Sequence, residues 1–114
     1  NPDERLHDAC AVLNGRDKKL LNWITDSGLA VLIADNYGVE AVPARPGPED
    51  VEHPSLPIHN HCLFKLGLNL GEIWWLQDLA LWLRAKKRSR FLLTAPPLRL
   101  PGAVGSPATP VATV

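Results

Sequence analysis

The chain has 114 residues, with 12 basic and 12 acidic side chains and a formal net charge of zero. This balance gives no reason to expect binding to nucleic acid or to an anionic membrane surface. The sequence has no apolar run near the roughly 18 residues that would cross a bilayer, and its apolar share of 46% is typical of a globular protein. The length fits one small domain or part of one.

The sequence contains no methionine and begins with Asn1. Because a complete reading frame starts with methionine, we expect a processed or trimmed chain, or a fragment of a longer product. The two cysteines, Cys10 and Cys62, are too few for a disulfide scaffold. They favour a reducing compartment, and we expect the protein to be cytoplasmic.

The first half of the chain alternates between predicted helices and a predicted strand. A short helix is expected to run to Leu13, and an apolar stripe predicts a second helix over 17–26. The continuous apolar run 29–34 predicts a buried central strand. The stretch 43–57 contains five prolines, which predict an exposed loop.

The second half is predicted to continue this alternation. Leucines and an alanine at helical spacing predict the amphipathic helix over 75–85. A proline and a glycine mark the start and the end of the helix over 57–66. We expect helices over 57–66 and 75–85, strands over 68–73 and 90–94, and two short strands at 98–100 and 108–113. The sequence therefore predicts an α/β protein with a mixed sheet and flanking helices.

His59 and Glu72 are the first candidates for a functional site. Imidazole and carboxylate both bind divalent metals, but a catalytic metal needs about three protein ligands and an open position. The pair therefore predicts part of a metal site whose other ligands lie elsewhere. The spacing alone leaves open that the two side chains are surface groups without contact. His61 should point away from His59 on a helix, exposed or supporting the site indirectly.

Trp74, Gly105 and Ser106 are candidates for binding a substrate. Trp74 is adjacent to Trp75, so the two rings face different ways. Packing in a core or an interface is one role for Trp74, and lining an aromatic pocket is the other. The glycines of Gly102–Pro107 let a backbone approach a ligand closely, which suggests a pocket rim, and a simple turn is the alternative.

Several short motifs occur in one order and together resemble a known family. They are Asp35–Glu40, Pro57-Ile-His59, Gly67, Glu72, Leu76-x-x-Leu-Ala80, Ala95–Leu98 and Gly102-x-x-Gly-Ser-Pro107. The ordered set resembles the C-terminal half of the cyclase family that includes kynurenine formamidase (arylformamidase) and isatin hydrolase. The resemblance covers roughly residues 16–114. Residues 1–15 are then a lead segment, and 16–114 are the C-terminal part of a cyclase-like domain.

The resemblance implies a metal-dependent hydrolase of amide, lactam or ester bonds, with a swivelling β/β/α fold and a place in tryptophan catabolism. It implies zinc or manganese as the cofactor, and His59 and Glu72 match the later histidine and glutamate that complete the family's metal site. The family's first ligand cluster, H-x-G-T-H-x-D, and its general base are absent from this sequence. No catalytic residue is therefore assigned, and the remaining metal ligands are expected from outside this chain.

Two functions remain open at this point. The chain is either a hydrolase segment acting on a small molecule, or a non-catalytic remnant that serves as a folding or oligomerisation module. The hydrolase would be completed by a missing N-terminal half or by a second copy. In both cases we expect the isolated chain to self-associate or to need a partner, because a buried strand needs neighbours on both sides.

Overall fold

The computed structural model describes residues 11–47 and 52–114. The chain divides into two compact units, one ending at Trp75 and the other spanning Leu76–Val114. In the described residues, each unit contains one two-stranded sheet. Within the described residues, no helix is both long and apolar enough to cross a membrane.

The first helix, α1, spans Lys18–Asp26 and confirms the helix predicted over 17–26. It begins where the Asp17 carboxylate accepts hydrogen bonds from the backbone N–H groups of Lys19 (2.8 Å) and Leu20 (3.3 Å). It ends just before Gly28, whose φ of +68° lies in the region that favours glycine. Local sequence signals thus set both ends of this helix.

The strand β1, Val31–Ile33, pairs in parallel with β2, Asn69–Gly71, with Leu32 opposite Leu70. The sequence predicted a buried central strand, and this prediction is wrong for the described residues. There β1 has a single neighbour and its side chains are half-buried. One parallel and one antiparallel pair stand in place of the mixed sheet.

The helix predicted over 57–66 forms, but only its first turn is an α-helix. The segment α2, Pro57–His59, continues directly into a π-helix, Asn60–Leu66. The π-helix ends at Gly67, whose φ is +64° and whose N–H donates to the Cys62 carbonyl. π-Helices are rare and are often found at functional sites.

The core of the first unit lies between α1, β2 and the continuous helical segment formed by α2 and the π-helix. Its buried apolar residues are Ile24, Val39, Ile58, Cys62 and Leu68. Partly buried leucines from α1, β1 and β2 pack around them, together with Leu13, Leu29 and Ala34 outside these elements. Glu40 directly follows the core residue Val39, and His59 directly follows the core residue Ile58. Both residues therefore lie beside this core.

The expected helix ending at Leu13 falls mostly outside the described residues, and its described end is not helical. Leu13 forms a parallel bridge with Glu40. Its N–H donates to the Val39 carbonyl, and its carbonyl accepts from Ala41. Backbone pairing with 39–41 therefore replaces the helix here. The described parts of the proline-rich stretch, 43–47 and 52–56, contain no helix or strand, as predicted.

The second unit holds α3, Gln77–Ala85, and an antiparallel pair of β3, Leu92–Thr94, with β4, Val111–Thr113. The predicted helix and these two predicted strands are confirmed with shorter bounds. The predicted strand over 98–100 is wrong. Leu98 donates one backbone hydrogen bond to the Pro107 carbonyl, but Pro97 and Pro101 on either side lack N–H groups, so the pairing does not extend into a strand. An isolated bridge between Pro97 and Ala108 precedes the loop that carries Gly105 and Ser106.

Candidate functional site

The His59 ring lies between two carboxylates. Its Nδ1 is 2.9 Å from Glu40 Oε1, and its Nε2 is 3.4 Å from Glu72 Oε1. All three residues belong to the first unit. Glu40 comes from the bridge with Leu13, His59 ends α2, and Glu72 directly follows β2. Three separate parts of the chain thus converge on one imidazole.

Glu40 is the buried member of this group, with no accessible side-chain surface. Its Oε2 accepts a hydrogen bond from the Ile58 backbone N–H, and its Oε1 accepts one from the His59 backbone N–H, both at 2.9 Å. These N–H groups open α2, whose N-cap Leu56 offers no side-chain acceptor. A carboxylate from elsewhere in the chain therefore caps this helix, which offsets the cost of burying its charge.

Gly15 makes room for the Glu40 carboxylate. A Cβ at this buried glycine would overlap Glu40 Oε2 and would lie 3.0 Å from Pro57 Cβ. Residue 15 carries no left-handed φ, so the requirement for glycine here is one of space. The turn at residues 14–16 therefore forms one wall of the carboxylate's pocket.

Glu72 occupies a different environment. Its side chain keeps 28% of its accessible surface, and its Oε1 accepts a hydrogen bond of 2.9 Å from the Val39 backbone N–H. The parallel strands fix its position, because the Ala34 N–H donates to the Gly71 carbonyl just before it. Glu72 is thus oriented by backbone contacts and remains open to solvent.

His61 and Cys62 follow His59 but do not join this group. His61 Nε2 lies 2.9 Å from the Thr25 hydroxyl on α1, where the two groups share a hydrogen bond. The Cys62 side chain is buried in the core. Burial, and to a lesser degree the negative charge of Glu40, raise the pKa of the Cys62 thiol. This cysteine is therefore an ordinary protonated core residue near neutral pH.

The predicted substrate-binding residues divide between the two units. Trp74 is half-buried in the first unit, where a Cβ at Gly71 would lie 3.2 Å from its indole. Gly105 and Ser106 are exposed in the second unit, and the Ser106 hydroxyl donates to the Pro107 carbonyl at 3.0 Å. Their role in binding a substrate stays a prediction.

His59 and Glu72 fit two ligands of a metal site. Donors about 2.0–2.2 Å from a tetrahedral zinc are about 3.4 Å apart, which matches the Nε2–Oε1 distance of 3.4 Å. The same distance exceeds the roughly 2.7–2.9 Å of a charge-assisted hydrogen bond. Metal-binding histidines also usually donate their other ring N–H to a carboxylate or carbonyl, and here Nδ1 lies 2.9 Å from the carboxylate oxygen Glu40 Oε1.

The pair does not make a complete site. In residues 11–47 and 52–114, no group of three or more His, Cys, Asp and Glu side chains is placed to hold a metal ion. Glu40 does not supply a third ligand, because its side chain is buried and its oxygens accept from two backbone N–H groups and contact the His59 ring. Further ligands would have to come from beyond these residues.

Sequence reasoning missed Glu40. The residue stands in the motif Asp35–Glu40, but no role was assigned to it. One signal was present: Glu40 is flanked by Val39 and Ala41, and a lone carboxylate inside an apolar stretch is often buried with partners. The identity of those partners depends on contacts with residues 18 and 19 positions away.

No family model and no curated protein sequence matches the chain. Among solved structures, the chain is similar to one described as the crystal structure of a novel cyclase, with 39% sequence identity and a TM-score of 0.69. The match covers 86% of this chain and 29% of that one. The chain thus spans less than a third of that protein's length, and its α/β architecture is consistent with a cyclase-like fold.

Proposed function

We propose that this chain is the C-terminal segment of a cyclase-family protein that hydrolyses an amide, lactam or ester bond in a small molecule with the help of zinc or manganese. The observation that carries this proposal is the His59 ring, which is held at Nδ1 by a buried carboxylate and meets Glu72 at Nε2. The similarity to a cyclase structure supports it. The arylformamidase-like substrate class and the link to tryptophan catabolism rest on the ordered motifs alone.

In this proposal, His59 and Glu72 would be two of the ligands that hold the metal. A bound divalent metal lowers the pKa of a water molecule and polarises a carbonyl oxygen. The chain's own contribution is to hold two donors at a fixed separation: Glu40 orients the ring, and the Val39 N–H orients the Glu72 carboxylate. The other ligands and the general base come from the rest of a longer protein or from a second copy.

Trp74 is proposed to contact the substrate. Its half-buried ring offers a flat apolar face, two positions along the chain from Glu72. Gly105 and Ser106 are proposed to contact the substrate in the complete protein, since a loop with small residues admits a close ligand approach.

The test uses the full-length protein with His59→Gln and Glu72→Gln. Bound metal, measured by elemental analysis, and turnover of N-formylkynurenine and isatin are determined in the same preparations. We expect both variants to lose metal and activity together while their circular dichroism stays unchanged. His61→Gln is the matched control, because this ring contacts Thr25 instead of the carboxylates. It should keep both properties.

Two outcomes would contradict the proposal. Full turnover with stoichiometric metal in either variant would remove His59 and Glu72 from the metal site. A wild-type protein that binds neither zinc nor manganese and turns over neither substrate would favour the non-catalytic module instead.

A further inference from the structure

We propose that Glu40 is a positioning residue that sets the tautomer and orientation of the His59 ring. It keeps a proton on Nδ1 and directs Nε2 toward Glu72. The consequence for metal binding rests on the function proposed above, whereas the state of the ring is a property of this chain's own contacts.

One carboxylate oxygen holds both the backbone and the side chain of His59. Glu40 Oε1 accepts from the His59 backbone N–H and lies at the same distance, 2.9 Å, from its Nδ1. A ring tied to the acceptor of its own backbone N–H has little freedom to rotate. This double contact therefore fixes the side-chain torsions of His59 relative to α2.

The chemistry of the acceptor determines where the proton lies. An ionised carboxylate only accepts hydrogen bonds, so the ring nitrogen that faces it must carry a hydrogen. In a neutral imidazole the other nitrogen then carries the lone pair. That nitrogen is Nε2, 3.4 Å from Glu72 Oε1. Without Glu40, the ring could place its proton on Nε2 and donate it to Glu72.

Glu40 itself is held in place. Its side chain is inaccessible to solvent and accepts at both oxygens, and Gly15 leaves space for the carboxylate and for no additional atom. Turning away would leave the Ile58 and His59 N–H groups of a buried helix start without acceptors, which costs about 1–3 kcal/mol for each group. Glu40 therefore acts through His59 and is not itself a ligand.

The test compares two substitutions in the full-length protein with 15N-labelled histidine rings. Glu40→Gln keeps one acceptor oxygen. That oxygen should stay at the Oε1 position, because both the backbone N–H and the ring Nδ1 of His59 lie there. The amide nitrogen then takes the Oε2 position, where it faces the N–H of Ile58. Glu40→Met has similar length but no comparable acceptor. Asp35→Asn, which alters an exposed carboxylate, is the control.

The tautomer is determined by NMR on metal-free protein, with the His59 signals identified by their loss in His59→Gln. We expect a proton on Nδ1 in the wild type, in Asp35→Asn and in Glu40→Gln, and a shift of that proton to Nε2 in Glu40→Met. We expect zinc affinity, measured by chelator competition, to fall about 10–100-fold in Glu40→Met and less in Glu40→Gln. A purely structural role would lower the stability of both variants without moving the proton.

The proposal is overturned if wild-type His59 carries its proton only on Nε2, a result that needs no variant to fold. It is also overturned if folded Glu40→Met keeps the proton on Nδ1. A wild-type protein that binds no metal but shows the expected tautomers would refute the proposed function and leave the role of Glu40 supported.

Discussion

Replacing Gly15 by alanine should destabilise the site through a single added methyl group. The new Cβ would overlap Glu40 Oε2 and would press on Pro57 Cβ at 3.0 Å. Both neighbours are fixed: Oε2 accepts from the Ile58 N–H, and Pro57 is buried at the start of α2. The added methyl group therefore forces either the carboxylate or the backbone to move.

The cost of either movement can be estimated. If Glu40 turns, the hydrogen bond from Ile58 to a charged acceptor is lost, at about 1.5–3 kcal/mol. If the backbone shifts instead, overpacking costs about 1–3 kcal/mol. Because alanine restricts the unfolded chain, about 0.4–1 kcal/mol is regained. We therefore expect Gly15→Ala to lower the free energy of unfolding by about 1.5 kcal/mol, and by at most about 2.6 kcal/mol.

The assay is urea unfolding of the full-length protein, combined with hydrogen exchange at the Ile58 and His59 amides. Both amides donate to Glu40 and should exchange faster in Gly15→Ala. Gly105→Ala is the control, because a Cβ at Gly105 meets no atom within 4 Å. It should leave stability unchanged or slightly raised. Equal stability and equal exchange in the two variants would refute the steric reasoning.

Three further predictions concern packing and assembly. Ile58→Ala should cost about 2–5 kcal/mol in urea unfolding, because Ile58 is fully buried, whereas Leu63→Ala, at a 45%-exposed residue, should cost far less. The Cys62 thiol should react with iodoacetamide only after unfolding. Its raised pKa means that the unfolded chain releases the proton first, so the free energy of unfolding should fall as pH rises above about 8.5. The isolated chain should self-associate through apolar side chains such as Phe64, which is 84% exposed. A compact monomer in sedimentation at micromolar concentration would contradict this last prediction.

Elements with local signals were predictable from the sequence. The helix α1 has its cap at Asp17 and its stop at Gly28 within its own segment, so its bounds followed directly. The antiparallel strands β3 and β4 were likewise predicted from their own residues. The strand predicted over 98–100 did not form. Its apolar residues suggested a strand, but the prolines on either side have no backbone N–H to donate to a neighbouring strand.

Features that depend on distant contacts were not predictable. The strand β1 reads as buried from its composition, yet its burial depends on the number of neighbours it has. No signal in the sequence distinguished the π-helix from an α-helix. Glu40 acquires its role only when the bridge to Leu13 brings it to the start of α2.

The two carboxylates at His59 differ in environment, and this difference predicts which of them binds metal. Glu40 is fully buried with three N–H donors, while Glu72 keeps 28% of its surface and accepts at Oε1 from one backbone N–H. A metal ligand needs a lone pair that no other group occupies and a path for the ion to enter. Glu72 meets both conditions, whereas the fully buried Glu40 side chain offers no path for an ion.

The same chemical change should therefore have unequal effects at the two positions. Glu72→Gln removes the negative charge of a ligand and should reduce zinc binding more than Glu40→Gln, which keeps an acceptor for the His59 ring. Glu40→Gln should instead cost more stability, because its amide nitrogen faces the buried Ile58 N–H. Chelator competition and urea unfolding of both variants measure the two effects in the full-length protein. If Glu40→Gln weakened zinc binding more than Glu72→Gln did, the assignment of the two carboxylates would have to be reversed.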